Sequence, residues 1–226
     1  MKVSSITIIT MLISMGLVSS LAYAHTANEI IIRGGPVYVH PQDKSDHVKV
    51  GGVKSDLKAK ADNDTQLGLN FQYMVTDNIG VELLAATPFS HQLKLGGGNS
   101  TGLSGAHLGK IKHLPPTLSA VWYPLDSQYE FQPYLGMGIN YTIFFDEKLN
   151  GEAKKAGFHG LDLDSSWGWA AQVGADYTFN ENWLVNAQIR YIDIETKATT
   201  HLGNTKVTAN YKLDPWVAMI GVGYKF

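Results

Sequence analysis

The feature that most constrains this chain is a period-two alternation of apolar and small polar residues, recurring from about Glu29 onward. Each alternating segment runs for around ten residues, the length a strand needs to cross a bilayer obliquely. The C-terminus shows it most clearly. Trp216, Ala218, Ile220, Val222, Tyr224 and Phe226 share one face, and Pro215, Val217, Met219, Gly221, Gly223 and Lys225 the other. Beyond residue 24 no segment approaches the ~20 apolar residues of a spanning helix, so a membrane form of this chain must cross with strands.

Residues 1–24 read differently. Lys2 supplies a positive start, Ile6 to Val18 a short apolar run, and Ala22-Tyr23-Ala24 a small-x-small cleavage site. The run is diluted by Thr7, Thr10 and Ser14 and is too short for an anchor. We read 1–24 as an export signal and 25–226, beginning at His25, as one barrel domain. Removing Lys2 leaves 17 basic against 20 acidic side chains, a net charge of −3, which argues against a nucleic-acid partner. The chain has no cysteine, so no disulfide framework supports the fold.

The alternation recurs at Leu67–Tyr73, Gly80–Ala85, Leu135–Ile143, Trp169–Phe179 and Val185–Tyr191, with weaker segments near 30–39 and 114–123. With the C-terminal run this makes eight strands. Pro36, Pro115 and Pro116 cannot donate to a ladder, so bulges or strand ends are expected there. The connections alternate in length. Thr76-Asp77-Asn78, Pro124 to Glu130 and Asn180-Glu181-Asn182 are short, whereas about 40–64, 89–112, 146–165 and 197–210 are long, polar links. Short periplasmic turns alternating with long external loops mark outer-membrane barrels, and an even strand number returns both termini to the periplasm. A soluble barrel of the same size would carry its apolar residues inside and its charges outside. Here the polar faces hold mostly Gly, Ala, Asn, Gln and Thr, which suits a narrow lumen.

Aromatics concentrate near the ends of the proposed outward faces, among them Tyr73, Tyr141, Trp169, Trp183, Tyr191, Trp216 and Tyr224. Such residues sit well at headgroup depth, having an apolar body and a polar tip. The stretches NIGVELLAATPF at 78–89, HLPPTL at 113–118, PYLGMGINYTIFFD at 133–146, DSSWGWAAQVGADY at 164–177, NWLVNAQIRYIDI at 182–194 and LDPWVAMIGVGYKF at 213–226 together resemble the OmpW family of outer-membrane proteins. The resemblance implies an all-β, eight-stranded antiparallel transmembrane barrel with a narrow, largely hydrophobic interior. It also implies passage of small apolar compounds across the outer membrane. The terminal alternation ending at Tyr224 and Phe226 is similar to the signal read by the outer-membrane insertion machinery, an expected partner during assembly.

Eight strands enclose a space that side chains nearly fill, so what lines it decides what passes. Following chain direction, the inward residues nearer the outside are Leu84, Ala86, Pro88, Phe144, Ala170, Ile192, Ile194, Val217 and Met219, an apolar funnel. Nearer the periplasm they are Asn70, Gln72, Glu82, Asp176, Asn186, Gln188 and Lys225, with Arg190 at mid-height and Arg33 joining them, a polar plug. Carboxylates in so narrow a lumen are costly unless paired, so Glu82 and Asp176 are expected to find Arg190, Arg33 or Lys225. A funnel sealed from below favours sideways exit of an apolar cargo into outer-membrane lipid, with Pro115 and Pro116 interrupting the wall.

Other chemistries find little support. The eight histidines are scattered without the close spacing of a zinc site, and no metal or cofactor is expected. GxSxG, P-loop and HExxH motifs are absent, and Gly96-Gly97-Gly98 precedes no helical pattern that would cradle phosphate. His113 and Ser119 lie on one candidate strand but about 20 Å apart along it, too far for a catalytic hydrogen bond. The reading is therefore a non-enzymatic channel for small apolar molecules, the alternatives being a structural or receptor protein whose loops bind phage, toxin or host surfaces and, behind it, a lipid-modifying enzyme of the outer membrane.

Overall fold

The computed structural model describes residues 24–42, 44, 45, 47–97 and 107–226. The leader read at 1–24 lies outside them apart from Ala24, as does Gly98. In chain order the strands are β1 (Ile30–His40), β2 (Lys44–Ser45), β3 (His47–Val50), β4 (Val53–Ala61), β5 (Asp64–Met74), β6 (Ile79–Ala86), β7 (Phe89–Gly97) and β8 (His107–Leu114). They continue as β9 (Thr117–Trp122), β10 (Phe131–Leu149), a single helical turn α1 (Gly151–Lys155), β11 (Phe158–Leu163), β12 (Ser166–Thr178), β13 (Trp183–Ile192), β14 (Glu195–Leu202), β15 (Thr205–Lys212) and β16 (Trp216–Lys225).

Eight of these close into an antiparallel ring: β1, β5, β6, β9, the first part of β10, β12, β13 and β16, with β16 pairing back onto β1. Closure leaves no unpaired edge, which is what makes a sheet tolerable in lipid. The described parts of the long links are mostly strand. They form β3, β4, β7, β8, β11, β14 and β15, which with the second part of β10 extend the wall away from the termini. Their alternation, as in Val48-Lys49-Val50 and Leu57-Lys58, is masked in the sequence by lysine content.

The lower ring is inverted relative to a soluble protein. Phe71, Leu83, Leu135, Ile139, Val173, Ile189 and Ile220 face outward and are exposed, while Arg33, Glu82, Asp176 and Arg190 are buried inside. Such a surface is stable only in lipid. Aromatic contacts bracket it. Tyr141 packs on Trp167, and Tyr191 lies between Trp169 and Trp216 at the upper rim, while Tyr224 contacts Trp183 and Phe226 at the lower. From Trp216 to Tyr224 the strand rises about 27 Å, and a tilt of roughly 40° reduces that to about 20 Å, close to the ~25 Å apolar band of such barrels.

The periplasmic turns are short and internally bonded. The Asn180 side-chain oxygen accepts from the Asn182 and Trp183 amides, and Thr76 Oγ1 accepts from Asn78 and Ile79. The prolines act differently from one another. Pro115 and Pro116 separate β8 from β9, whereas Pro36 lies within β1, its register with β5 unbroken. On the other side the β1–β16 ladder skips Gly35 and Pro36. A Cβ at Gly35 would sit 2.0 Å from the Ile220 carbonyl oxygen, so the two backbones approach there closely enough to admit glycine alone.

Candidate functional site

The interior is layered. Beneath the external rim lies an apolar chamber of about 60 Å³, walled by Leu57, Leu93, Leu95, Phe158, Leu163, Val207 and Tyr211 among others. All of these but Tyr211 come from links that read as loop. Below it, Leu84, Phe144, Ala170, Ile192, Ile194, Val217 and Met219 pack into one buried apolar cluster, with Ala86 against it. Leu108 and Leu161 touch both levels, so the apolar lining is continuous from chamber to funnel.

Pro88 is a correction. It is exposed rather than inward, and Phe89 takes the buried position. The chain bends at Thr87 and Pro88, where the Thr87 amide bonds to the Leu67 carbonyl, and that bend advances the inward parity by one residue. Val37, Val39, Ile111 and Leu213 also join the funnel; the first two belong to the weakly alternating segment near 30–39.

The structure places Asn70, Gln72, Glu82, Asp176, Asn186, Gln188, Arg190, Lys225 and Arg33 in the buried lumen. Two guanidinium–carboxylate centres organise them. Arg33 Nε donates to Asp176 Oδ1 at 3.1 Å, while its Nη1 donates to Gln72 at 3.0 Å and its Nη2 to the Tyr123 hydroxyl at 3.0 Å. Arg190 Nη2 pairs with Glu82, its Nε donates to Gln172 at 2.9 Å, and Gln172 donates on to Glu82 at 2.9 Å. The centres couple, since Arg33 Nη1 lies 3.9 Å from Glu82 Oε2. Asn186 donates to Asp176 at 2.8 Å, Arg33 reaches Asn70 at 3.4 Å, and the Tyr134 hydroxyl donates to Gln188 at 3.2 Å. Lys225 stands apart, bonding the Ala24 carbonyl at 3.1 Å and lying 3.6 Å from Glu29.

Sequence reasoning missed Tyr123, Tyr134, Gln172 and His25 as plug members. His25 Nε2 lies 3.2 Å from Asp176 Oδ2. Gln172 was recoverable, because it shares the inward parity of Asp176. Tyr134 was not, because its place depends on Gly174 across the ladder, where a Cβ would meet its ring at 2.5 Å. Below the plug, Ile31, Met74, Val121 and Leu184 pack around the two tyrosine rings and close the periplasmic end with an apolar floor. His113 and Ser119 both face inward on opposite sides of the proline break, and His113 stacks on His91 and Phe89.

The strand ladder is interrupted beside the funnel. Pairing of β6 with β9 ends at Leu84 and Thr117, and that of β7 with β8 begins at Phe89 and His113. Between them, Ala85–Pro88 and Leu114–Pro116 share no ladder, and a small cavity of about 10 Å³ lined by Leu84, Ala86, Phe89, Pro115 and Val217 sits at this point.

The chain matches the OmpW family over residues 26–226. Outer membrane protein W of Escherichia coli strain K12 is 47% identical over 211 residues, spanning 93% of this chain and 94% of that protein. The crystal structure of the outer membrane protein OprG from Pseudomonas aeruginosa superposes with a TM-score of 0.86 at 47% identity, covering 90% of this chain and 98% of that one. A further relative from Pseudomonas aeruginosa, named dibenzothiophene metabolism operon protein PahQ, is 32% identical over 168 residues, 74% of each chain. With its closed eight-stranded barrel, lipid-facing apolar belt and these relatives, the chain belongs to the OmpW family of Gram-negative outer-membrane proteins.

Proposed function

We propose that this protein passes small apolar molecules from the exterior into the outer membrane. It receives them in the upper chamber and releases them sideways through the wall gap above the plug. The observation that carries this reading is the continuous apolar lining, from Leu95 and Val207 above to Leu84 and Val217 below, ending on a hydrogen-bonded layer of charges. An apolar solute gains from the first and would be stranded among the second. The relative whose name ties it to dibenzothiophene metabolism fits a cargo of this class. The break at Pro115 and Pro116 supplies the exit, because unladdered backbone leaves room between neighbouring strands.

The test is uptake of a hydrophobic solute per folded barrel. Leu84→Asp puts a charge where the solute must rest dry, so uptake falls while heat-modifiable folding persists. Gln188→Ala, in the plug, leaves uptake near the parent value under lateral exit and raises it if cargo runs straight through. A Leu84→Asp barrel that transports like the parent would overturn the proposal.

A further inference from the structure

The outward face of the upper wall carries an unusual charge arrangement over five consecutive strands, β3, β4, β7, β8 and β10. Directly opposed residues in a sheet point the same way with Cβ atoms about 5 Å apart, and like charges in that relation are destabilising. Here Lys49 opposes Lys54, Lys60 opposes Lys94, and Lys110 opposes Lys148. Lys58 shares the outward face of β4, since its neighbour Leu57 is buried inward. Across the barrel Lys212 opposes Lys44 on one side but a carboxylate on the other. Glu195 opposes Lys212 and pairs with it at 3.1 Å.

Among the described residues, carboxylates form ion pairs with only Lys112 and Lys148 of the lysine face. Among the described residues, Lys54, Lys58, Lys60, Lys94 and Lys110 make no ion pair. Asp62 and Asp64 at its lower border accept backbone amides of Gln92 and of Thr65 and Ser90. Asp146 holds Lys112 and Lys148, and Asp56 interrupts the outward row of β4. The chain as a whole is net acidic, so the clustering is local.

The height of this face identifies its counterpart. Leu114 opposes the lipid-facing Ile143, and Lys112 is the next residue of the same parity, about 7 Å higher along β8, with Lys110 a further step up. The lysines therefore begin where the outer apolar band ends. In an outer membrane that level holds the phosphates of the outer-leaflet glycolipid. A lysine row beside anionic headgroups is attracted to them, and its internal repulsion is relieved when they bind.

We propose that the lysine face of β4, β7 and β8 is a binding site for the phosphorylated saccharide headgroup of an outer-leaflet glycolipid. Several lysines act on neighbouring phosphates of a lipid molecule held against the barrel. This site is separate from the lumen and independent of what the lumen conducts.

The experiment uses the full chain folded in neutral detergent and measures binding of purified bis-phosphorylated lipid A, the same lipid after dephosphorylation, and inorganic phosphate as competitor. The phosphorylated lipid is expected to bind at least about tenfold more tightly than the dephosphorylated one. Millimolar inorganic phosphate should not displace it. The variant Lys58→Gln, Lys60→Gln, Lys94→Gln, Lys110→Gln should lose that preference, while Lys154→Gln, Lys155→Gln, Lys197→Gln, Lys206→Gln, with the same change in net charge, should keep it. Equal binding of the two lipids, displacement by inorganic phosphate, or equal loss in both variants would overturn the proposal. If the first variant fails to fold, the comparison of the two lipids on the parent protein decides.

Discussion

Arg33 on β1 and Asp176 on β12, both fully buried, meet at the centre of the lumen through paired hydrogen bonds, one from Nε at 3.1 Å, although 143 positions separate them in the chain. The contact is made across the barrel rather than along a ladder, so it exists only when all eight strands have closed. Breaking such a buried pair on one side leaves a charge without its partner, at a cost of about 3–5 kcal/mol. Arg33→Met should lower the urea midpoint of the barrel in lipid vesicles accordingly. Arg33→Met with Asp176→Leu should recover most of the loss, because the orphaned charge is gone. A single variant as stable as the parent would show that the pair contributes little.

The upper chamber offers a second prediction. Ala198 and Ala209 line it, and Trp at either position would more than fill its volume of about 60 Å³. Overpacking costs roughly 1–3 kcal/mol, and a chamber this small takes the ring only with some displacement of its walls. Ala209→Trp should therefore lower the unfolding midpoint modestly and reduce uptake of a bulky apolar solute more than that of a small one. Unchanged uptake for both solutes would remove the chamber from the route.

Asp146, on the external part of β10, lies 2.8 Å from Lys112 and also pairs with Lys148. Hydrogen bonds from these two ammonium groups lower its pKa from 3.8 to about 2. Because the folded value lies below the unfolded one, the pairing contributes above the ordinary carboxylate value and is lost as pH falls toward 2. Carbon-detected NMR of the Asp146 carboxyl should give a midpoint near 2, rising toward 3.8 in Lys112→Gln with Lys148→Gln. A midpoint unmoved by the double substitution would contradict the assignment of cause.

At the C-terminus, the Phe226 amide donates to the Ile30 carbonyl at 2.9 Å and its ring packs on Tyr224 in the lower aromatic rim. Deleting Phe226 should reduce the heat-modifiable protein recovered from the outer membrane, while barrels refolded in detergent lose less. Equal losses in cells and in detergent would assign the residue to barrel stability rather than to delivery.

The alternation determined which residues of the lower ring face lipid and which face the lumen. Period two leaves only two choices of face, and a run such as Trp216 to Phe226 makes one of them untenable inside a narrow barrel. That logic also located Glu82, Asp176 and Arg190 in the lumen and required partners for them, because burial of a bare charge is prohibitive. Which partner each charge took was a different matter. Arg33–Asp176 and Arg190–Glu82 depend on the diameter and stagger of the closed ring, quantities that no single strand carries. Pro88 failed for a related reason, since one bent residue pair at Thr87 and Pro88 shifts every inward position after it. The upper chamber was out of reach because lysine-rich hairpins look like solvated loops until pairing sends Leu57, Leu93 and Val207 to a common interior. Face is a local property set by the pleat, whereas neighbours across a lumen are set by closure, and closure belongs to the tertiary structure alone.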